Sequence, residues 1–229
     1  MMSRQSGKNE MAAVLYAYLL DIYQAVGGDI VVAAPSFKPQ IVNSELRLRE
    51  VLDTPFHKGT WSPHRGYYLQ MGKAKLTFFS ADPAANVVGA TASILLAIDE
   101  AQDVDQEMYW RSFRPMASTT NATTVLFGTA WSEDNLLEEQ RRANRKLEKE
   151  LGVKLNFEAP WTVLAGINPA YKAFVKGEIR RLGETHPTIR TQYYLEAVTG
   201  AGRLFTEGVL QKLHGTHDRE LQPDGHSLY

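Results

Sequence analysis

Ile94-Leu95-Leu96-Ala97-Ile98-Asp99-Glu100-Ala101-Gln102 is an apolar run that ends on two adjacent carboxylates. A short aliphatic run of this kind predicts a strand buried on both faces. Carboxylates at the carboxyl end of such a strand stand where open α/β sheets bind their ligands. One of them can hold Mg²⁺ through its waters, and the next can polarise a water for attack on a terminal phosphate. The plainer alternative is that Asp99 and Glu100 cap a helix that follows.

Upstream, Ser3-Arg4-Gln5-Ser6-Gly7-Lys8-Asn9-Glu10 stands directly before an apolar-rich stretch with helical spacing. The N–H groups of such a loop and the positive end of the helix suit phosphate oxygens. Lys8 would reach the β- and γ-phosphates as a point charge. The match to the full Walker A pattern is imperfect, because Met2 stands where its first glycine belongs and Asn9 replaces the Ser/Thr. Read alone, the loop is equally an N-terminal turn with a solvated lysine. Downstream, Thr124-Val125-Leu126-Phe127-Gly128-Thr129-Ala130-Trp131 predicts a strand that ends on a glycine and a hydroxyl. Gly128 and Thr129 would then stand at the same sheet edge and sense the γ-phosphate; otherwise they form an ordinary turn.

Between and beyond these three segments, strands and helices alternate. Residues 9–26 predict a helix closed by Gly27 and Gly28, and 29–34 a buried strand. Residues 38–52 carry helical spacing, and 67–71 with 75–79 predict a hairpin around Gly72-Lys73. Residues 105–116 predict a helix, 133–151 a long charged helix capped by Ser132 and closed by Gly152, and 154–157 a last strand. Helices follow over 169–182 and 187–198, and the tail from His214 is polar. This alternation implies an α/β fold: a mainly parallel sheet with helices on both faces.

The 229 residues suit one ordinary domain with a small appendage. Lys and Arg number 25 against 26 Asp and Glu, a formal charge of −1, so a wholly basic nucleic-acid coat is excluded while a local patch is not. Without cysteine there is no disulfide framework, thiolate metal site or cysteine nucleophile. No stretch reaches the ~20 apolar residues of a membrane span. Residues 1–10 are polar, unlike a signal peptide, so a soluble, reducing compartment is expected.

Taken together, Arg4-Gln5-Ser6-Gly7-Lys8, Asp99-Glu100-Ala101 and Gly128-Thr129 resemble the three ATPase motifs of phage terminase large subunits. The resemblance continues in Gln192-Tyr193-Tyr194-Leu195-Glu196 and Gly202-Arg203-Leu204-Phe205, which look like the segment joining that family's motor to its nuclease. It implies a P-loop NTPase fold of the RecA/ASCE type, with an ATPase core over 1–185 and a linker over 186–229. It implies ATP and Mg²⁺ as cofactors, with Arg4, Gln5, Ser6, Gly7, Lys8, Asn9 and Glu10 on the nucleotide. Asp99 and Asn9 would hold the metal, Glu100, Lys8 and Arg4 would act in catalysis, and Gly128 and Thr129 would couple hydrolysis to movement. The implied partners are double-stranded DNA, a portal protein, a terminase small subunit and further copies of the chain in a ring, all in the host cell cytoplasm.

The family carries several tens of residues before its phosphate loop, including a central strand. On that reading the strand is missing from residues 1–229, which alone are expected to hydrolyse ATP poorly. The family's nuclease carboxylates are expected beyond Tyr229; Asp218 and Asp224 read as surface charges, and no nuclease activity is expected. Arg111, Arg114, Arg141 and Arg142 are candidates for an arginine acting on a neighbouring subunit, and residues 86–89 stand where some relatives carry one. The basic run 141–146 is interleaved with Glu138, Glu139, Glu148 and Glu150 and reads as a solvated face. His57, His64 and His186 lack metal-ligand spacing. Two other readings remain: a fragment of a superfamily 2 helicase, and a non-hydrolysing docking domain.

Overall fold

The computed structural model describes residues 1–64, 68–85, 87 and 89–198. Chain contacts form a compact unit over Met1–Val198. Residues 202–205 and the tail from His214 lie outside the described residues, as do Asn86 and Val88.

Six strands form one sheet in the order β2-β3-β4-β1-β5-β6. These are β1 (Gly28–Ala34), β2 (Trp61–His64), β3 (Tyr68–Met71), β4 (Ala74–Ser80), β5 (Leu95–Ile98) and β6 (Thr123–Leu126). β1 pairs in parallel with β4 and β5, and β5 in parallel with β6. β2, β3 and β4 form an antiparallel meander. The β3–β4 turn needs Gly72, at φ 56°, because a Cβ there would lie 2.4 Å from the Gln24 carbonyl oxygen.

Two-residue periodicity sorts the central strands onto two cores. Ile30, Val32 and Ala34 of β1, with Leu95 and Ala97 of β5, pack beneath α1 (Lys8–Tyr23) and α2 (Val42–Leu52). Val31, Ala33, Leu96 and Ile98 face the other way, onto Tyr109, Phe113 and the first turn of α4 (Leu136–Leu151). Each fully buried aliphatic side chain here, Ile30 or Leu96 for instance, contributes ~1.5–3 kcal/mol. A third, smaller cluster joins α5 (Trp161–Ala165), α6 (Pro169–Leu182) and α7 (Pro187–Gln192) through Trp161, Val175 and Ile189.

Several expected elements take a different form. The helix expected over 105–116 is three short pieces: α3 (Gln106–Met108), a π turn over Tyr109–Phe113 and a 3₁₀ turn over Arg114–Ala117. Pro115 has no N–H for a regular ladder, which breaks the run there. α4 is capped by Asn135, whose side chain accepts the Glu138 N–H at 2.9 Å, and not by Ser132. α7 stops at Gln192, short of Val198. The strand expected over 154–157 does not form.

The physical reason for that last difference lies beside β6. β6 is an edge of the described sheet, and residues 154–159 run across from it with a mostly apolar cavity of about 590 Å³ between them. Along this stretch the start of the chain supplies the backbone partners. The Met1 amine donates to the Phe157 carbonyl at 2.6 Å, Ala159 N–H to Met1 at 3.0 Å, and Ser3 N–H to Ala159 at 3.0 Å. Without a neighbouring ladder a four-residue extended segment gains no strand hydrogen bonds.

Candidate nucleotide site

The loop ahead of α1 is held from several sides. Arg4 N–H donates to the Gln192 carbonyl at 2.9 Å, and Met2 N–H to the Gly128 carbonyl at 3.0 Å. Ser6 folds the loop back on itself, its hydroxyl donating to the Ser3 carbonyl at 2.6 Å. The Tyr171 hydroxyl donates to the Arg4 carbonyl at 2.9 Å. Two residues take left-handed backbone: Gln5 at φ 60° and Gly7 at φ 86°. Helix α1 starts immediately after Gly7, so the N–H groups of Lys8, Asn9 and Glu10 have no acceptor within the helix. Their partial positive charge faces the loop.

This end of α1 opens into a cavity of about 690 Å³. Every residue read from the sequence as nucleotide-binding, from Arg4 through Gln5, Ser6, Gly7, Lys8 and Asn9 to Glu10, lines it. Glu100 and Thr129 line it as well. The size falls within the ~300–1,000 Å³ typical of small-molecule sites.

Lys8 is buried, and its ammonium lies 2.5 Å from Glu100 Oε1 and 3.6 Å from Asp99 Oδ1. The fold thus brings together the two segments that the sequence singled out. Glu100 does not simply start a regular helix: its backbone sits at φ 47°, a conformation costly for a side chain with a Cβ. Asp99 is buried beneath the wall, its N–H donating to the Ala33 carbonyl at 2.7 Å. Its carboxylate accepts the Glu100 N–H at 3.0 Å and the Ser44 hydroxyl at 3.3 Å. Burial raises its pKa above the ordinary carboxylate range, with Lys8 pulling it down and Glu100 pushing it up.

These groups fit a phosphate chain with a divalent cation. Helix-end amides and one buried ammonium stand at the cavity, with the Glu100 carboxylate beside them on its wall and the Asp99 carboxylate beneath. Asn9 is on the wall and Asp99 below it; among the described residues no cluster of three His, Cys, Asp or Glu could hold a metal by itself. Sequence reasoning missed Ser44 on Asp99, and also Arg47 and Trp131 on the cavity wall. Arg47 pairs with Glu10 and sits in α2 with nothing in its local sequence to mark it.

The four other arginine candidates stand away from this wall. Arg111 pairs with Glu107, Arg141 with Glu138 and Glu158, and Arg142 donates to the Glu133 carbonyl. Arg114 lies near Tyr109. No helix among the described residues is long and apolar enough to cross a membrane.

No protein-family model and no curated protein matches the sequence. Solved structures do. The Thermus phage P74-26 large terminase ATPase domain superposes with a TM-score of 0.62 at 18% identity, over 86% of this chain and 87% of that one. The HK97 bacteriophage large terminase gives 0.68 at 17%, over 92% of this chain and 49% of that one. The large terminase of a thermophilic bacteriophage, in complex with ADP, gives 0.62 at 14%, over 86% and 47%. The chain thus spans about half the length of these last two proteins. At such identities the likeness is one of architecture: the chain has the P-loop fold, with its mainly parallel sheet, of the phage large terminase ATPase domains.

Proposed function

We propose that the chain is an ATP-hydrolysing motor domain of the kind that drives double-stranded DNA into a viral shell. The observation that carries the nucleotide part is the meeting of Lys8 and the α1 N-terminus with Glu100 at one cavity. The amides from Ser6 to Glu10 would bind the β- and γ-phosphates, with Lys8 and Arg4 offsetting the charge that develops on transfer. Glu100 would orient the attacking water and take its proton. Asp99 and Asn9 would hold Mg²⁺ together with phosphate oxygens, the usual way of binding this ion. Bound there, Mg²⁺ supplies charge neutralisation to the phosphates. Thr129, which also lines the cavity, and the adjoining Gly128 would couple hydrolysis to movement.

The packaging part is supported by the fold likeness to phage large terminases. In this reading the chain works in the host cytoplasm, as a ring of copies docked on a portal, recruited by a small subunit and gripping double-stranded DNA.

The test is Glu100→Gln, which keeps size and hydrogen bonding but removes the charge. ATP binding persists while single-turnover hydrolysis falls by ~10²–10⁴-fold. Turnover near the parent rate removes Glu100 from catalysis, and a parent that never hydrolyses ATP, with or without an extended segment joined ahead of Met1, removes the activity.

A further inference from the structure

Gln102 follows the carboxylate pair and has no part in the roles above. Its side-chain amide faces two ways. Nε2 donates to Glu100 Oε2 at 2.9 Å and to Asp103 Oδ2 at 3.0 Å, while Oε1 accepts the Thr129 N–H at 3.2 Å. These partners settle the amide orientation, because only its NH₂ can donate to carboxylates and only its oxygen can accept from an N–H. Gly128 makes room for it: a Cβ at that position would lie 2.4 Å from Gln102 Oε1 and 2.6 Å from Leu137 Cδ2. The connection continues past Thr129, whose hydroxyl donates to the Met2 carbonyl at 3.1 Å, directly ahead of the phosphate loop.

Building on the ATPase reading, we propose that Gln102 is a positioning residue. It holds the Glu100 carboxylate toward the phosphates and passes its displacement to Gly128-Thr129 and the start of the phosphate loop. The Glu100 carboxylate has two side-chain partners here, Lys8 at Oε1 and Gln102 at Oε2. Whatever draws Lys8 away toward a phosphate leaves Gln102 to fix Glu100, through a charge-assisted hydrogen bond of the stronger kind. Because the same amide also holds Thr129, a shift of Glu100 on loss of the terminal phosphate pulls on both ends of one rigid group. The strained backbone of Glu100 gives that shift a direction, since only its surroundings keep it at φ 47°.

Two readouts on the full chain test this. In kinetics, Gln102→Ala lowers single-turnover hydrolysis by ~10-fold or more and leaves Mg-ATP affinity within ~3-fold, a loss in kcat rather than in binding. Gln102→Glu retains an acceptor for Thr129 but loses the donor to Glu100, so turnover falls as much. In amide hydrogen exchange, Thr129 loses ~10-fold protection in Gln102→Ala and keeps it in Gln102→Glu. Glu100→Ala alters Thr129 exchange in the parent but not in the Gln102→Ala background, as a coupled pair requires.

Additive effects of Glu100→Ala and Gln102→Ala on Thr129 exchange overturn the proposal, whether or not the chain turns over. So does turnover within ~2-fold of the parent in Gln102→Ala, while leaving the ATPase reading intact. A parent that neither binds nor hydrolyses ATP sinks that reading instead, and the exchange cycle still decides for or against Gln102.

Discussion

The Lys8 ammonium lies 2.5 Å from Glu100 Oε1, so the loop at the start of α1 and the end of β5 meet in one ion pair. Lys8 is 9% exposed, and a buried cation is tolerated only where partners offset its lost hydration. Glu100 and Asp99 provide that offset on the side of the sheet. The helix amides beside Lys8 add further positive potential at the loop. In the function proposed above, a phosphate chain would compete with Glu100 for Lys8 and free the carboxylate to meet water.

Gly128 is required by its neighbours. Its Cβ would run into Gln102 Oε1 at 2.4 Å and Leu137 Cδ2 at 2.6 Å. Gly128→Ala is expected to lower stability by ~1–3 kcal/mol, as overpacking does. A thermal midpoint equal to the parent's contradicts the close approach.

The open side of β6 sets a second expectation. An extended apolar segment joined ahead of Met1 would enter the cavity between β6 and residues 154–159, already in line with Met1 and Ser3, which bond to Ala159. Such a chain gains a ladder partner for β6 and covers Leu155 and Phe157, which are exposed. It is expected to melt several degrees higher and to aggregate less. Identical melting and light scattering of the two forms argue against a strand seat there.

Glu138 sets the pH expectation. Burial raises its carboxyl above the ordinary range, and Arg141 offsets this only in part. A carboxyl raised in the folded state binds its proton more tightly folded than unfolded. Its ionisation therefore costs stability at neutral pH, and the cost fades as pH falls through the raised value. Glu138→Gln, which leaves Arg141 its pair with Glu158, is expected to melt a few degrees higher at neutral pH. The gain should narrow on acidification; a gain that widens instead contradicts the burial argument.

Much of this was legible in the sequence where local pattern and tertiary role coincide. The apolar run before Asp99 is buried on both faces in β5, and 29–34 lies within β1, because a central parallel strand needs such residues whatever surrounds it. The loop from Arg4 to Glu10 was legible because its chemistry is local: a glycine with positive φ and a lysine opening a helix. Residues 154–157 misled because strand propensity is realised only against a partner ladder. Ser44 and Arg47 reach the site through contacts set by packing, as does Gln102 in its bond to Thr129, over separations that no short motif encodes. β2 escaped for a similar reason: Trp61–His64 contains Pro63 and lies at the sheet's edge, where pattern is weak.

The central claim is that the loop from Arg4 to Glu10 grips a triphosphate through Lys8, and isothermal calorimetry with Mg-ATP tests it most directly. The parent chain is expected to bind ATP, and Lys8→Ala, verified as folded by its circular dichroism, to bind at least ~10-fold more weakly, a loss of ~1.4 kcal/mol. Equal affinity in parent and variant, or no binding heat from the parent, would contradict the account.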